Sequence, residues 1–238
     1  MNTFEFSSIG TISSCYKEKF GIPRQPGLVL EAKAQLMFNA EFGEESIREL
    51  DGFSHIWIHF VFHATLSQGW KPMVRPPRLG GNTKVGVFAS RSTFRPNPIG
   101  LSVVELYKVE MQKGAVILHL LGCDLLDGTP VLDVKPYLPY VDSIPTAKGG
   151  FANESPQKSV EQQDISFTKE AQLQCAQASE RLEQNIEALI RQIIQCDPRP
   201  SYQRIDYNRV YSMHLHDFDL KWQYCENNEI KVLELRVQ

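Results

Sequence analysis

The residues best suited to chemistry lie between His63 and Leu101. Two segments there carry arginines on stiff backbone. One is Arg75-Pro-Pro-Arg78-Leu-Gly-Gly81 and the other is Arg91-Ser-Thr-Phe-Arg95-Pro-Asn-Pro-Ile-Gly100. Proline fixes φ, and glycine lets the backbone approach a ligand closely. Arginine offers a planar fork that holds two oxygens of a phosphate or carboxylate at once. From Gly52 through Val104 there is no Asp or Glu, while Lys71, Arg75, Arg78, Lys84, Arg91 and Arg95 all fall in that window. A buried sheet would also lack acids, but it would lack arginines too. The window therefore reads as a positive surface for an anionic partner, unless acids from elsewhere in the chain neutralise it.

Other candidates lie outside this window. Pro23-Arg24-Gln25-Pro26-Gly27 is a turn whose value depends on what it folds against. Asp124-Leu-Leu-Asp127-Gly-Thr-Pro130 reads either as a hairpin turn or as carboxylates for an amine or for ribose hydroxyls. Asp133-Val-Lys-Pro-Tyr137 could supply a base or a phenol. His214 and His216 point the same way from a strand, with Asp217 next, but no third ligand has sensible spacing, so no metal is expected. There is no GxGxxG after a strand and no P-loop, which removes the common nucleotide-binding readings. Neither GxSxG nor HExxH occurs, and no nucleophile–base pair marks a hydrolase.

Many short strands must position these loops. Alternating or β-branched patterns predict strands over residues 4–13, 28–38, 55–62, 84–90, 101–111, 115–121 and 131–136, with 55–62 buried on both faces. Residues 41–50 read as a short surface helix. Regular Gly and Pro punctuation favours an antiparallel barrel or sandwich over residues 1–145. Residues 146–166 are Ala/Gly/Ser/Gln-rich and read as a linker. A small α+β domain over 167–238 follows. Its helix starts at the N-cap Thr168 and runs with Leu182, Ile186, Leu189, Ile190, Ile193 and Ile194 on one face until Pro198. Strands are expected over 210–216, 221–225 and 229–237.

Composition sets outer limits. The 238 residues suffice for one large domain or a main domain with a smaller one, and the net charge of −3 argues against a general nucleic-acid binder. The five cysteines are odd in number and form no CxxC pair, so reduced thiols in a cytoplasmic protein are expected. No apolar run is long enough to span a membrane, and the N-terminus lacks the basic and apolar regions of a signal peptide.

The motifs together resemble the TsaA-like family, tRNA methyltransferases acting on N6 of threonylcarbamoyladenosine beside the anticodon. The resemblance rests on Ile9-Gly-Thr-Ile-Ser-Ser-Cys-Tyr16, Pro23-Arg-Gln25, Phe53-Ser-His-Ile-Trp57, the two arginine segments (the second from Val87), and the 124–130 and 133–137 runs. It spans residues 1 to about 142. Asp197-Pro-Arg-Pro200 and His216-Asp-Phe218 extend it into the tail, in the manner of the bacterial branch. Cys15 departs from the proline common in the family. The resemblance implies a single-sheet β-barrel that binds S-adenosylmethionine without a Rossmann fold. It implies a homodimer with the cofactor near the subunit interface. It places cofactor contacts at Arg24, Gln25, His63, Ala64, Arg91, Leu101 and the turn Asp124, Leu125, Leu126 and Asp127.

A nitrogen bonded to both a purine ring and a carbonyl is a weak nucleophile, so removal of its proton should help methyl transfer. His63, Asp133 and Tyr137 are the candidate bases, unresolved among themselves. Lys71, Arg75, Arg78, Arg95 and Arg199 are the candidate phosphate contacts, with Tyr202 as a stacking residue for an unpaired anticodon-loop base. The alternative reading is a non-catalytic RNA-binding protein that uses the same basic loops.

Overall fold

In a computed structural model, residues 2–154, 164–199 and 203–238 are described. Tyr202 and the middle of the 146–166 segment lie outside them. The strands are β1 Gly10–Ser14, β2 Ala34–Phe38, β3 His55–Val61, β4 Met73–Val74, β5 Val85–Gly86, β6 Ile99–Gln112, β7 Ala115–Leu121, β8 Pro130–Pro136, β9 Asp164–Phe167, β10 Val210–Leu215, β11 Phe218–Tyr224 and β12 Glu229–Val237. The α-helices are α1 Pro139–Asp142, α2 Lys169–Leu182 and α3 Ile186–Gln195.

Six strands close an antiparallel barrel in the order β1-β2-β7-β6-β3-β8, and β8 returns to β1 through Gly10↔Val131. Closure leaves no edge strand open to water. The interior is filled by alternate residues: Ile56, Ile58 and Phe60 from β3, Val104 and Leu106 from β6, Leu118 and Leu120 from β7. Gly100 sits opposite Phe60 in the β3–β6 register. A Cβ at Gly100 would meet the Phe60 ring at 2.2 Å, so glycine is what lets the ring lie flat in the barrel.

The second unit is a four-stranded sheet in the order β10-β11-β12-β9, with α2 packed against it. Its core is shared with the barrel's first connection. Cys15, Tyr16, Val29 and Ala32 are buried in one cluster with Trp222, Phe218 and the apolar face of α3. Tyr16 bridges to Leu215, His216 donates its N–H to the Cys15 carbonyl at 2.8 Å, and Phe20 stacks on Trp222.

Several elements differ from the sequence reading. Residues 4–9 are not a strand, because pairing with β2 begins at Gly10, and Phe4 and Phe6 stay exposed. Residues 28–33 form a turn before β2 begins at Ala34. Residues 41–50 give 3-10 turns at Glu44–Ile47 and Leu50–Gly52, parted by Glu49 at φ 66°. Strand β3 is buried on one face only: His55, Trp57 and His59 alternate outward. Of residues 84–90, only Val85–Gly86 is strand, and Val87–Ala89 is a 3-10 turn held by side chains described below. The single helix expected after Thr168 is two. Thr168 caps α2 through Ala171 N at 3.0 Å, but the chain turns at Glu183 (φ 48°) and Asn185 caps α3 afresh. Residues 164–166, read as linker, belong to β9, which pairs in parallel with β12 and so completes the sheet.

Candidate functional site

A cavity of about 760 Å³ opens where four loops converge on the ends of β3 and β6. Its walls come from Lys19 and residues 22–26, from the 3-10 turn His63–Gln68, from the segment holding Ser90, Arg91 and Phe94, and from Asp124, Leu125, Leu126 and Thr129, with Phe60, Gly100, Leu101 and Ser102 from the barrel. Cavities of this size that are mostly apolar with a few polar groups suit small ligands.

The second arginine segment builds one wall. The Arg95 guanidinium donates to the carbonyls of Ser90 at 2.8 Å and Val87 at 3.3 Å, and it lies over the Phe88 ring. The Ser90 hydroxyl also donates to the Val87 carbonyl, at 2.8 Å. These bonds satisfy carbonyls that a strand would have used, which is why the chain turns here. Arg91, next along, donates through Nη1 to Gln25 Oε1 from the opposite loop. Gln25 in turn donates to the Arg24 carbonyl, and Arg24 reaches the Arg199 carbonyl at 3.5 Å.

Facing Arg91 is Asp124. Burial pushes its carboxyl up to about 6, against smaller opposing effects from Ser102, the backbone and Arg91. Its Oδ1 is shielded from solvent and has no hydrogen-bond partner among the described residues. A shielded acceptor without a donor costs free energy until something donates to it. An ammonium or a ribose hydroxyl would do so. With Arg91 as a fork for a carboxylate, the wall fits an amino-acid-bearing nucleoside such as S-adenosylmethionine.

The cavity brings together Arg24, Gln25, His63, Ala64, Arg91, Leu101, Asp124, Leu125 and Leu126 from the expected cofactor contacts. It does not include Asp127, whose carboxylate accepts Ser14 N–H at 2.9 Å and pairs with Lys17 at 2.8 Å. Asp127 thereby shapes the turn that carries Asp124. Of the candidate bases, only His63 lines the cavity. Asp133 pairs with His59 and His59 with Leu101, so Asp133 lies two strand spacings from Leu101, roughly 10 Å away, and it does not line the cavity. Its carboxylate holds Lys135. Tyr137 packs on Trp57 with ring centroids 5.8 Å apart, outside the barrel.

The expected RNA contacts separate into free and engaged cations. Lys71, Arg75 and Arg78 are exposed, and Lys71 sits against Phe94, which lines the cavity. Lys71 lies 4.1 Å over the Phe94 ring, and Arg78 donates to the Glu154 carbonyl. Arg95 is engaged in the turn described above. Arg199 is forked onto Asp197 through two bonds of 2.8 Å and stacks on Tyr224. Sequence reasoning passed over Lys19, Thr93 and Ser102, which all line the cavity. Among the described residues no group of three or more His, Cys, Asp or Glu could hold a metal ion, and no helix is long and apolar enough to cross a membrane. All five cysteines are free thiols.

Comparison with known proteins follows the same division of the chain. Residues 11–143 match the family model described as the tRNA-methyltransferase O N-terminal domain, and residues 160–238 match the TrmO C-terminal domain. The tRNA (adenine(37)-N6)-methyltransferase of Escherichia coli (strain K12) is 47% identical over 99% of this chain and 100% of its own length. A putative S-adenosylmethionine-dependent methyltransferase, RcsF, of Pseudomonas aeruginosa is 43% identical over 98% of each chain. A solved structure titled "Crystal structure of TrmO" superposes with a TM-score of 0.82 at 38% identity, covering 99% of this chain and 100% of that one. A closed barrel without a Rossmann fingerprint, two matching domain models and relatives covered end to end lead to one conclusion: the chain belongs to the tRNA-methyltransferase O family.

Proposed function

We propose that this protein is an S-adenosylmethionine-dependent tRNA methyltransferase that methylates N6 of adenine 37, in its threonylcarbamoylated form, next to the anticodon. The observation that carries the reading is the pairing of Arg91 with a shielded, partnerless Asp124 Oδ1 across one wall of the cavity. Arg91 would hold the cofactor's carboxylate, and Asp124 would accept from its ammonium or a ribose hydroxyl. Leu101, Leu125 and Leu126 give apolar walls that keep water from the reacting atoms. When bound, the cofactor supplies an electrophilic methyl group.

What remains for the chain is to align N6 and relieve it of a proton. Alignment of two bound reactants supplies much of a transfer reaction's rate. His63 is the one candidate base within the cavity, at the start of the turn His63–Gln68. Lys71, Arg75 and Arg78 would hold RNA phosphates. We further propose that the protein acts in the cytoplasm as a homodimer. Support for the dimer comes from outward apolar residues of β6 away from the cavity, where Tyr107 and Met111 are 45% and 44% exposed.

The test is mass analysis of tRNA nucleosides from cells with and without the gene. Loss of one methylated threonylcarbamoyladenosine species is the expected result. Unchanged nucleosides, together with tRNA binding that needs no cofactor, would instead favour a non-catalytic RNA-binding protein.

A further inference from the structure

Four basic side chains line the cavity, Lys19, Arg24, Arg91 and Arg95, against the single carboxylate of Asp124. None of the four is ion-paired with a carboxylate among the described residues; the ion pairs all lie elsewhere. The cofactor does not correct this imbalance. S-adenosylmethionine carries a carboxylate but also an ammonium and a sulfonium, so it brings more positive charge than negative. One arginine answers its carboxylate. The remaining excess calls for a second anion inside the cavity, apart from the phosphates that the exposed arginines outside can hold.

The four cations are not equally free to meet it. Arg95 has its guanidinium on the Ser90 and Val87 carbonyls. Arg91 is tied to Gln25 and faces Asp124. Arg24 reaches toward the Arg199 carbonyl in the second domain. Among the described residues Lys19 has one partner, the carbonyl of Ala64, at 2.5 Å. An ammonium has three donors, so this bond pins Lys19 beside His63 and leaves two N–H directions open.

We infer that Lys19 reads a carboxylate carried on the substrate base, and so selects the modified adenosine over the plain one. This rests on the functional reading above. A threonylcarbamoyl group ends in a free carboxylate, whereas adenine carries no anionic group of its own. A charge-assisted hydrogen bond from a pinned ammonium at the exposed rim of the cavity discriminates against a neutral isostere.

The experiment uses two anticodon stem-loops identical except at the modified adenosine, one with the threonyl carboxylate and one with its primary carboxamide. Binding is read by fluorescence anisotropy with S-adenosylhomocysteine present, and methylation is read separately with S-adenosylmethionine. The wild type should bind and methylate the acid in preference to the amide by roughly tenfold. Lys19→Gln should bring that ratio close to one while its calorimetric affinity for S-adenosylmethionine stays at the wild-type value. Lys19→Arg should keep the preference, which guards against a folding defect in the glutamine variant. A preference undiminished in Lys19→Gln, or no preference in the wild type, overturns the assignment alone. Methylation of neither stem-loop by the wild type overturns the functional reading and the Lys19 assignment together.

Discussion

The Arg95 guanidinium donates to the carbonyl of Ser90 at 2.8 Å, and the residue that follows Ser90 is the arginine facing Asp124. One arginine thus positions another. Arg95→Ala should leave the barrel folded but free the 87–90 turn, lowering affinity for S-adenosylmethionine by roughly tenfold. Both bonds come from one nitrogen, Nη1, and an ammonium also has several donors, so Arg95→Lys should recover part of the loss. Isothermal calorimetry checks both. If Arg95 met phosphate instead, its loss would leave cofactor affinity intact and flatten the salt dependence of RNA binding.

Asp124 makes stability and binding depend on pH in opposite directions. Burial favours the protonated form in the folded state, with the carboxyl at about 6 against an ordinary 3.8. The folded state therefore holds its proton longer than the unfolded one. Stability is greatest below the ordinary value, declines as pH rises to about 6, and is flat above. Asp124→Asn should remove this decline and stabilise the cofactor-free protein at pH 7 by roughly 3 kcal/mol. Affinity for S-adenosylmethionine needs the ionised acceptor, so it should weaken below about pH 6 in the wild type. The asparagine variant should bind weakly at all pH values. Urea melts and calorimetry across pH 5 to 8 measure the two trends (the range brackets the shifted value).

Gly100 and Phe60 form a coupled pair in the barrel. A methyl group at Gly100 would overlap the ring, so Gly100→Ala should cost about 1–3 kcal/mol in urea denaturation. Phe60→Leu alone leaves space and also destabilises. In the double variant the added methyl finds that space, so the loss should be smaller than the sum of the two. Strict additivity would show that the ring moves aside freely.

The exposed cations predict a salt signature. Replacing Lys71, Arg75 or Arg78 with alanine should each lower the slope of log affinity for tRNA against log salt by about one unit, without changing cofactor affinity. Arg199 is held by Asp197, so Arg199→Ala should change that slope less and instead lower the melting temperature. Filter-binding titrations over a range of salt decide the matter.

The barrel was legible in the sequence where one face of a strand is buried. Residues 115–121 and 131–136 alternate or run apolar because the interior demands it, and both became strands at those positions. Residues 4–9 alternate as well, but a strand also needs a neighbour, and β2 runs out at Phe38. The break between α2 and α3 was hidden because Leu182 and Ile186 keep helical spacing across it. Within the site, Arg24, Arg91 and Asp124 were named through the family resemblance, because their motifs alone read equally well as turns or as a rigid basic loop. Lys19 was not, because a lysine in a Lys-Glu-Lys run obeys no local rule and gains its meaning only from Ala64, 45 residues away. Asp133 and Tyr137 were named for their closeness in sequence to the Asp124 turn. A bulge in the β3–β8 pairing breaks the alternation of β8 at Leu132, so Val131 faces inward opposite Phe60 while Asp133, opposite His59, faces outward.

The shared core around Tyr16 also decides what counts as a part of this molecule. The family models divide the chain near residue 150, yet Cys15, Tyr16, Val29 and Ala32 pack with the tail's helices and sheet. Cutting the chain at that boundary would leave both pieces with torn apolar surfaces. The barrel would keep a sticky first connection, and the tail would lack one wall. The two pieces should reassociate when mixed rather than live as separate modules, and the intact chain should melt in one step. The loop of residues 19–26, which lines the cavity, springs from that same seam. Loosening the tail would therefore be felt first by the cofactor wall, long before the barrel itself gave way.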